Sequence, residues 1–499
     1  MVLFIVAPIR ETDELWLKIY YEKTGGSNLK TTGSQFLTRS KPYVRKLIEL
    51  LSENYQYVSV LGTDTSGKVY RVGKTGTEVN DVMLAERGFV VRVHNGVNYS
   101  EYSFNEIDEN KLHSIVSDIR DKLHKKSKEI NVNEYELILE DEITKQFFSE
   151  TEIDPESISA EEIIKELTSL KDMGRSLSEQ VVNFRAGLSC THVSKIFLSA
   201  KKDLEQSYII SEATLLCFAR REDRMKYYFR GFNGMMGYEV LKEMKKLCPV
   251  VVDQCIKLLD AKTVQPGEYD VICAPDIAGL IAHEAFGHGV EMDMFVKKRA
   301  KGAEYIGKQI ASPITTMHDG AAAASHVSSY LFDDEGTLGT DTTIIQEGIL
   351  ENGISDLLSA LKLGTTPTGN GKRQSFERKA YSRMTNTFFA AGKDKYEDML
   401  ASIQYGYQIE GLYSGMEDPK NWGIQCIALL GREIVDGKLT GNLISPVVMT
   451  GFVPELLQSI SMVSDTVELE GGGFCGKGYK EFVKTANGGP YIKAKVRLG

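Results

Sequence analysis

Two histidines and a glutamate stand together in His283-Glu284-Ala285-Phe286-Gly287-His288, within an apolar stretch that continues through Gly289-Val290-Glu291. Two imidazoles one helical turn apart, with a carboxylate beside the first, form the zinc-peptidase pattern H-E-x-x-H. Here the spacing is i, i+5. Five residues of regular helix turn through ~500°, which leaves the second imidazole ~140° from the first. Both reach one ion only if the helix absorbs an extra residue, as a π-bulge does, or unwinds after its first turn. Gly287 and Gly289 flank His288 and lower the cost of either distortion. His283 and His288 are therefore candidate metal ligands. Glu284 is the candidate general base, with Glu291 in reserve. His94, His113, His124 and His192 carry no such neighbours and read as surface or satisfied core residues; His318 and His326, around a Gly/Ala-rich loop, are outside candidates for ligands.

A catalytic zinc site needs a third protein ligand. The best candidate is Cys475, in Gly471-Gly472-Gly473-Phe474-Cys475-Gly476-Lys477-Gly478. Five glycines around one cysteine let the backbone deliver a thiolate where a bulkier loop could not approach. Lys477 could help to lower its pKa. The chemistry this set implies is peptide hydrolysis by metal-activated water, with one Zn²⁺ per chain and Glu284 moving the proton. The alternative is a non-catalytic adaptor or regulatory binding protein with a purely structural zinc, for which a base beside His283 has no use. Competing motifs fail. Gly364–Lys372 has neither the spacing nor the following Ser/Thr of a phosphate loop. No G-x-S-x-G elbow and no paired Cys-x-x-Cys occurs.

The elements that must position these residues read as an α+β protein. Residues 1–130 form an N-terminal α/β region: a helix over Pro42–Glu53, strands at Tyr57–Leu61 and Val69–Val72, and a hairpin turning at Asn95-Gly96 as type I′. A second helix places Leu112, Ile115, Val116, Ile119 and Leu123 on one face. Residues 131–262 read as a helical or mixed connector. Its Glu134–Glu166 run holds twelve acids and two lysines, and Ser159-Ala160-Glu161-Glu162 fits a capping box. Leu215–Arg230 reads as a half-buried strand pair. Gln265-Pro266-Gly267 marks the entry to a β-rich catalytic half, 263–499, with hairpin turns at Asn352-Gly353 and Asp436-Gly437.

The chain has 499 residues, with 59 Lys+Arg against 69 Asp+Glu. That acidic balance gives no general electrostatic reason to bind nucleic acid. No run of ~18 apolar residues suggests a membrane span. Met1–Ile9 reads as a strand and not as a signal peptide. Seven scattered cysteines favour a reducing compartment, and the expected location is cytoplasmic.

At this point the sequence resembles the TldD/PmbA family, in its TldD branch. The resemblance rests on 283–291, Asp333-Asp334-Glu335-Gly336-Thr337, Thr366-Pro367-Thr368-Gly369-Asn370-Gly371, Arg383-Met384-Thr385-Asn386-Thr387, Ile460-Ser461-Met462-Val463 and Cys475-Gly476-Lys477, in family order. It implies a zinc metallopeptidase acting on unfolded or extended peptides in a closed chamber. It implies zinc on the residues matching His283, His288 and Cys475, and the acid/base role for Glu284. It also implies a homodimer or a heterodimer with a TldE/PmbA-like subunit. Older family names speak of modulation of DNA gyrase. Three departures bear on substrate preference and subunit contact: Gly478-Tyr479-Lys480 replaces a Gly-Gln step, Tyr413–Asp418 with nearby Trp422 replaces a Gly-rich stretch, and the chain stops at Gly499 without a longer Gly-rich tail.

Overall fold

The computed structural model describes residues 29–126, 134–479 and 481–499. The strand expected at Met1–Ile9 lies outside them. Helix α1 (Gln35–Ser52) is capped by Ser34, whose side chain accepts from the Leu37 amide, and so starts seven residues before the expected Pro42. It buries Val44, Leu47, Ile48 and Leu51. Strand β1 (Tyr57–Gly73) is one continuous strand, where the sequence suggests two. The polar Gly62–Lys68 stretch stays extended because it pairs along its length with a neighbouring strand. Strands β2 (Glu86–His94) and β3 (Tyr99–Phe104) form the expected hairpin. Its connection has four residues, since His94 pairs with Tyr99, so the two-residue type I′ turn is not used. Helix α2 (Glu109–Lys126) buries Leu112, Ile115, Val116 and Ile119 with α1 against the sheet.

Helix α3 (Ala160–Ser176) begins in the expected capping box. The rest of the connector is mostly strand, so of the helical or mixed readings the mixed one describes it: β4 (Val181–Ser199), β5 (Lys202–Arg221) and β6 (Arg224–Gly234). The sheet runs β6-β5-β4-β1-β2-β3. Strands from both sides of residue 130 thus join side by side in one sheet, and the helix α4 (Met244–Lys257) packs against it. The Leu215–Arg230 segment is the expected strand pair, β5 with β6.

The C-terminal half is built on a closed barrel. Strand β7 (Gly267–Cys273) pairs in parallel with β8 (Tyr405–Asp418), which pairs with β9 (Gly423–Val435), then β10 (Val447–Phe452), then β11 (Ile492–Leu498), and β11 returns to β7. Closure leaves no free edge in this ring. The expected hairpin turn after β9 is present and is of type I′, with Asp436 and Gly437 at φ 49° and 74° and Val435 facing Lys438. Asn352-Gly353 does not make a hairpin. The equivalent turn falls at Glu347-Gly348, both with positive φ, between Gln346 and Ile349.

The two halves are clamped by buried charge. Arg92 on β2 pairs with Glu335 and with Glu101, and Lys195 on β4 with Asp334. Arg373 grips Glu101 with two nitrogens, and Lys484 reaches Glu212 at 2.8 Å. The Asp333–Thr337 motif therefore serves as a joint between sheet and barrel half. Thr366–Lys372 is no phosphate loop either: Asn370 is tied to Asp319 and the Arg383 carbonyl, and Lys372 donates to Ser328, Met384 and Lys484.

Candidate metal centre

The site begins where β7 ends. Ala274 and Pro275 open a helix over Pro275–Leu280, and the carboxylate of Asp276 accepts from the Gly411 and Leu412 amides, pinning the helix start to β8. The next turn is a π-helix, Ile281–Gly287, followed by a 3₁₀ turn, His288–Val290. The helix that carries the motif is thus distorted in both anticipated ways. One wide turn brings the i, i+5 imidazoles round to the same side, with ring centroids 5.3 Å apart.

The glycines act differently from the expectation. Gly287 has ordinary helical angles, φ −58° and ψ −46°. Its lack of a side chain matters because a Cβ there would lie 2.1 Å from the Met384 sulfur. Close approach, not conformational freedom, requires it.

Cys475 arrives on a short strand, Phe474–Lys477, paired with Glu481–Lys484. Its sulfur is 3.4 Å from His288 Nε2. One donor atom from each of His283, His288 and Cys475 lies within 4.8 Å of the other two. Among the described residues this is the one such group of His, Cys, Asp or Glu. His318 is engaged with Asp341 at 2.8 Å and stacks on Phe388. His326 packs near Gly471, away from the cluster. Of the histidines set aside, His94 contacts the Tyr135 carbonyl and His192 contacts Ser207. The side chain of His124 is outside the described residues.

Burial alone would push the Cys475 thiol up, but the imidazoles of His283 and His288 override it and hold it well below the usual range. Burial would likewise lower His288, yet Glu291 and Cys475 hold it well above 6.5. Both shifts favour the charged forms, a thiolate facing an imidazolium. A cation entering the site must displace the His288 proton, so metal binding releases a proton and weakens as pH falls. Two nitrogens and one thiolate form a borderline-soft set suited to zinc, with three protein ligands and a fourth position left for a substrate-side ligand. The buried His283 Nδ1 has no hydrogen-bond partner, as expected of an imidazole waiting to coordinate or to be oriented by a neighbour.

Glu291 stands behind His288. Its Oε2 is 3.2 Å from His288 Nδ1 and 2.9 Å from Lys477 Nζ. This placement removes it as a reserve base. It fixes the imidazole so that Nε2 faces Cys475. Despite burial, Lys477, His288 and Arg383 hold its carboxyl down to about 2. Lys477, which sequence reasoning assigned to the thiol, is spent on Glu291, Asp293 and the Ser382 carbonyl. Arg383 donates to the carbonyl of Cys475 at 2.5 Å and so holds the strand that carries the thiolate. Neither tie is visible in local sequence, because each joins residues far apart in the chain. Glu291→Gln is expected to weaken zinc binding about 10- to 100-fold, measured by competition with a chelator; an unchanged affinity would mean that His288 needs no orienting partner.

Glu284 lies on the open side. Its carboxylate is 3.9 Å from His283 Nε2 and 4.0 Å from His288 Nε2, and it lines a cleft of about 540 Å³ with His288, Cys475, Phe474, Tyr381 and Glu417. A second cavity of about 290 Å³ lies between the N-terminal sheet and the barrel half, and Phe474 is on the wall of both.

This barrel half, with a π-turn bearing two imidazoles under a thiolate hairpin, has the form of a metallopeptidase domain. Residues 266–496 match the family model described as the PmbA/TldA metallopeptidase C-terminal domain. This C-terminal segment is a TldD/PmbA-family domain. A metalloprotease TldD homolog of Buchnera aphidicola (subsp. Acyrthosiphon pisum) is 34% identical over 220 residues, 44% of this chain and 45% of the relative. A zinc metalloprotease TldD homolog of Saccharolobus solfataricus is 30% identical over 297 residues, 57% and 63% of the two chains. The chain spans about half the length of the first of these relatives. In overall fold it is similar to TldE from Thermococcus kodakarensis, with a TM-score of 0.72 at 18% identity, covering 92% of this chain and 100% of that one. A Thermotoga maritima protein named for a proposed role in modulating DNA gyrase gives the same TM-score. Among the described residues no helix is long and apolar enough to cross a membrane.

Proposed function

We propose that the protein is a zinc-dependent peptidase of the TldD type, hydrolysing unfolded or extended peptides with Glu284 as general base and one zinc held by His283, His288 and Cys475. The observation that carries this reading is the placing of Glu284 about 4 Å from both imidazoles, facing an open cleft. When bound, zinc supplies Lewis acidity towards a water and towards the scissile carbonyl. Glu284 takes a proton from the attacking water and later gives it to the leaving amine. Glu291 keeps His288 oriented, and Arg383 keeps the Cys475 strand in place. The adaptor alternative, with structural zinc, is disfavoured: a closed structural site has four protein ligands, whereas three gather here.

A further cavity behind Phe474, between the N-terminal sheet and the barrel half, supports a preference for chains that can thread. The likeness to TldE is consistent with a dimer, either with a TldE/PmbA-like partner or with a second copy. A cytoplasmic location and the absence of direct nucleic-acid contact complete the reading. The test is to incubate the zinc-loaded protein with a stable folded protein and with an unfolding variant of it. Degradation of the unfolded form alone is expected, and equal degradation of both would reject the restriction to extended chains.

Gly415 offers a sharper check on Glu284. A Cβ at Gly415 would sit 2.4 Å from Glu284 Cγ, so β8 can lie against the base only because this position is bare. Gly415→Ala is expected to retain zinc while peptide cleavage falls by about tenfold or more, as a displaced base loses its hydrogen-bond reach. Zinc loss instead of activity loss would show that the strand supports the ligands and not the base.

A further inference from the structure

Strand β8 alternates, so Gly415 and Glu417 point to the same face, and that face looks onto the metal helix. Gly415 makes room for Glu284. Glu417 packs over Gly289, whose Cβ, were there one, would meet Glu417 Oε1 at 2.9 Å. Both carboxylate oxygens of Glu417 are shut off from solvent and make no full hydrogen bond, with the His288 imidazole and the Gly289 backbone the groups near enough to favour the charged form. The group nonetheless lines the metal cleft, next to Glu284 and Cys475.

The lysines of this cleft are already committed elsewhere, and His288 is turned to Glu291 and Cys475. Lys297 pairs with Asp293 at 2.9 Å, and Lys477 pairs with Glu291 and Asp293. Arg299 is exposed on the rim. Among the described residues no ion pair reaches Glu417. Burial, with Glu291 and Glu284 nearby, disfavours the charged form of this carboxyl, and a cation brought in from outside would restore it.

Resting on the peptidase reading above, the geometry points to Glu417 as a specificity residue whose carboxylate receives a substrate ammonium or guanidinium group beside the metal centre. The incoming cation donates hydrogen bonds to the two free oxygens while the scissile carbonyl lies towards the His283–His288–Cys475 cluster. Two sources share this chemistry: the α-ammonium group of a substrate N-terminus, and a lysine or arginine side chain near the cleaved bond.

The experiment uses the full chain loaded with zinc and four versions of one unstructured peptide: unmodified with a single lysine, N-acetylated, lysine replaced by norleucine, and both changes together. Wild type is expected to favour at least one cationic version over the doubly neutral one by about tenfold or more in kcat/KM, chiefly through KM. Loss on acetylation assigns the α-ammonium, and loss on norleucine replacement assigns the side chain. In Glu417→Gln the ratio between cationic and neutral peptides is expected to fall to about one. A wild-type ratio near one, or a ratio retained in Glu417→Gln, overturns the proposal. Should Glu417→Gln fail to fold, the wild-type peptide series alone decides. Should no peptide be cleaved, equilibrium binding of the same four peptides to both proteins separates the two readings. Charge-dependent binding that Glu417→Gln abolishes upholds the subsite while the peptidase reading fails; charge-independent binding overturns the subsite.

Discussion

Glu284→Gln is expected to keep zinc at the wild-type level and to reduce peptide cleavage by about 10² or more. Glutamine preserves the size of the side chain and its packing under Gly415, but it cannot accept a proton at neutral pH. The metal donors are untouched, because Glu284 is 3.9 and 4.0 Å from the two imidazole nitrogens and none of the three clustered donor atoms belongs to it. The measurement is zinc analysis alongside initial rates on an unstructured peptide. Unchanged rates would remove Glu284 from the mechanism. Glu291 could not take its place, since it lies behind His288 in contact with Lys477.

The second large effect is expected from Cys475→Ser. Two neutral imidazoles leave a divalent ion short of ligands and of negative charge, and the thiolate supplies both. A serine hydroxyl stays protonated and binds zinc poorly. Zinc affinity should drop by more than the ~10²-fold that changes behind the ligands cost, and activity should fall with it. Cys190→Ser and Cys426→Ser are the controls. Cys190 hydrogen-bonds to Ser211, with burial pushing its thiol up to about 11, and Cys426 is buried in the barrel core. Retention of zinc by Cys475→Ser would refute the ligand set. Affinity measured against pH adds an independent check. His288 is held well above 6.5 and Cys475 well below 9.0, so the proton to be displaced sits on the imidazole. Affinity should therefore begin to fall as pH drops through the raised His288 range, and thiol protonation should add to the loss only at lower pH.

What could be read from the sequence was local or periodic. The i, i+5 spacing forced a distortion, and the π-turn over Ile281–Gly287 is that distortion. Asp436-Gly437 made its type I′ turn because both residues tolerate positive φ and strand-like runs flank them. Glu347 in the equivalent turn was unreadable, since glutamate is no turn former and is held at φ 47° by the pairing on either side. Gly62–Lys68 looked like a loop and became strand, because pairing with β4 outweighed weak local propensity. The grip of Arg383 on Cys475 spans 92 residues, and Lys477 reaches Asp293 across 184; no spacing rule covers such distances. Glu417 was likewise invisible, because a glutamate on an edge-like, polar stretch gives no sign that its carboxylate is buried.

The charged joint between sheet and barrel bears on where this protein can be divided. The match to the C-terminal domain model begins at residue 266, which suggests a portable catalytic module. Yet the strand beside Cys475 ends in Lys484, and Lys484 is anchored to Glu212 on β5 of the N-terminal sheet. Arg92 and Lys195 hold Glu335 and Asp334 from the same side. A fragment cut at the family boundary would expose these acids unpaired and release one arm of the thiolate hairpin. The boundary of the matched domain and the boundary of the body that these ion pairs tie together are, in this molecule, different.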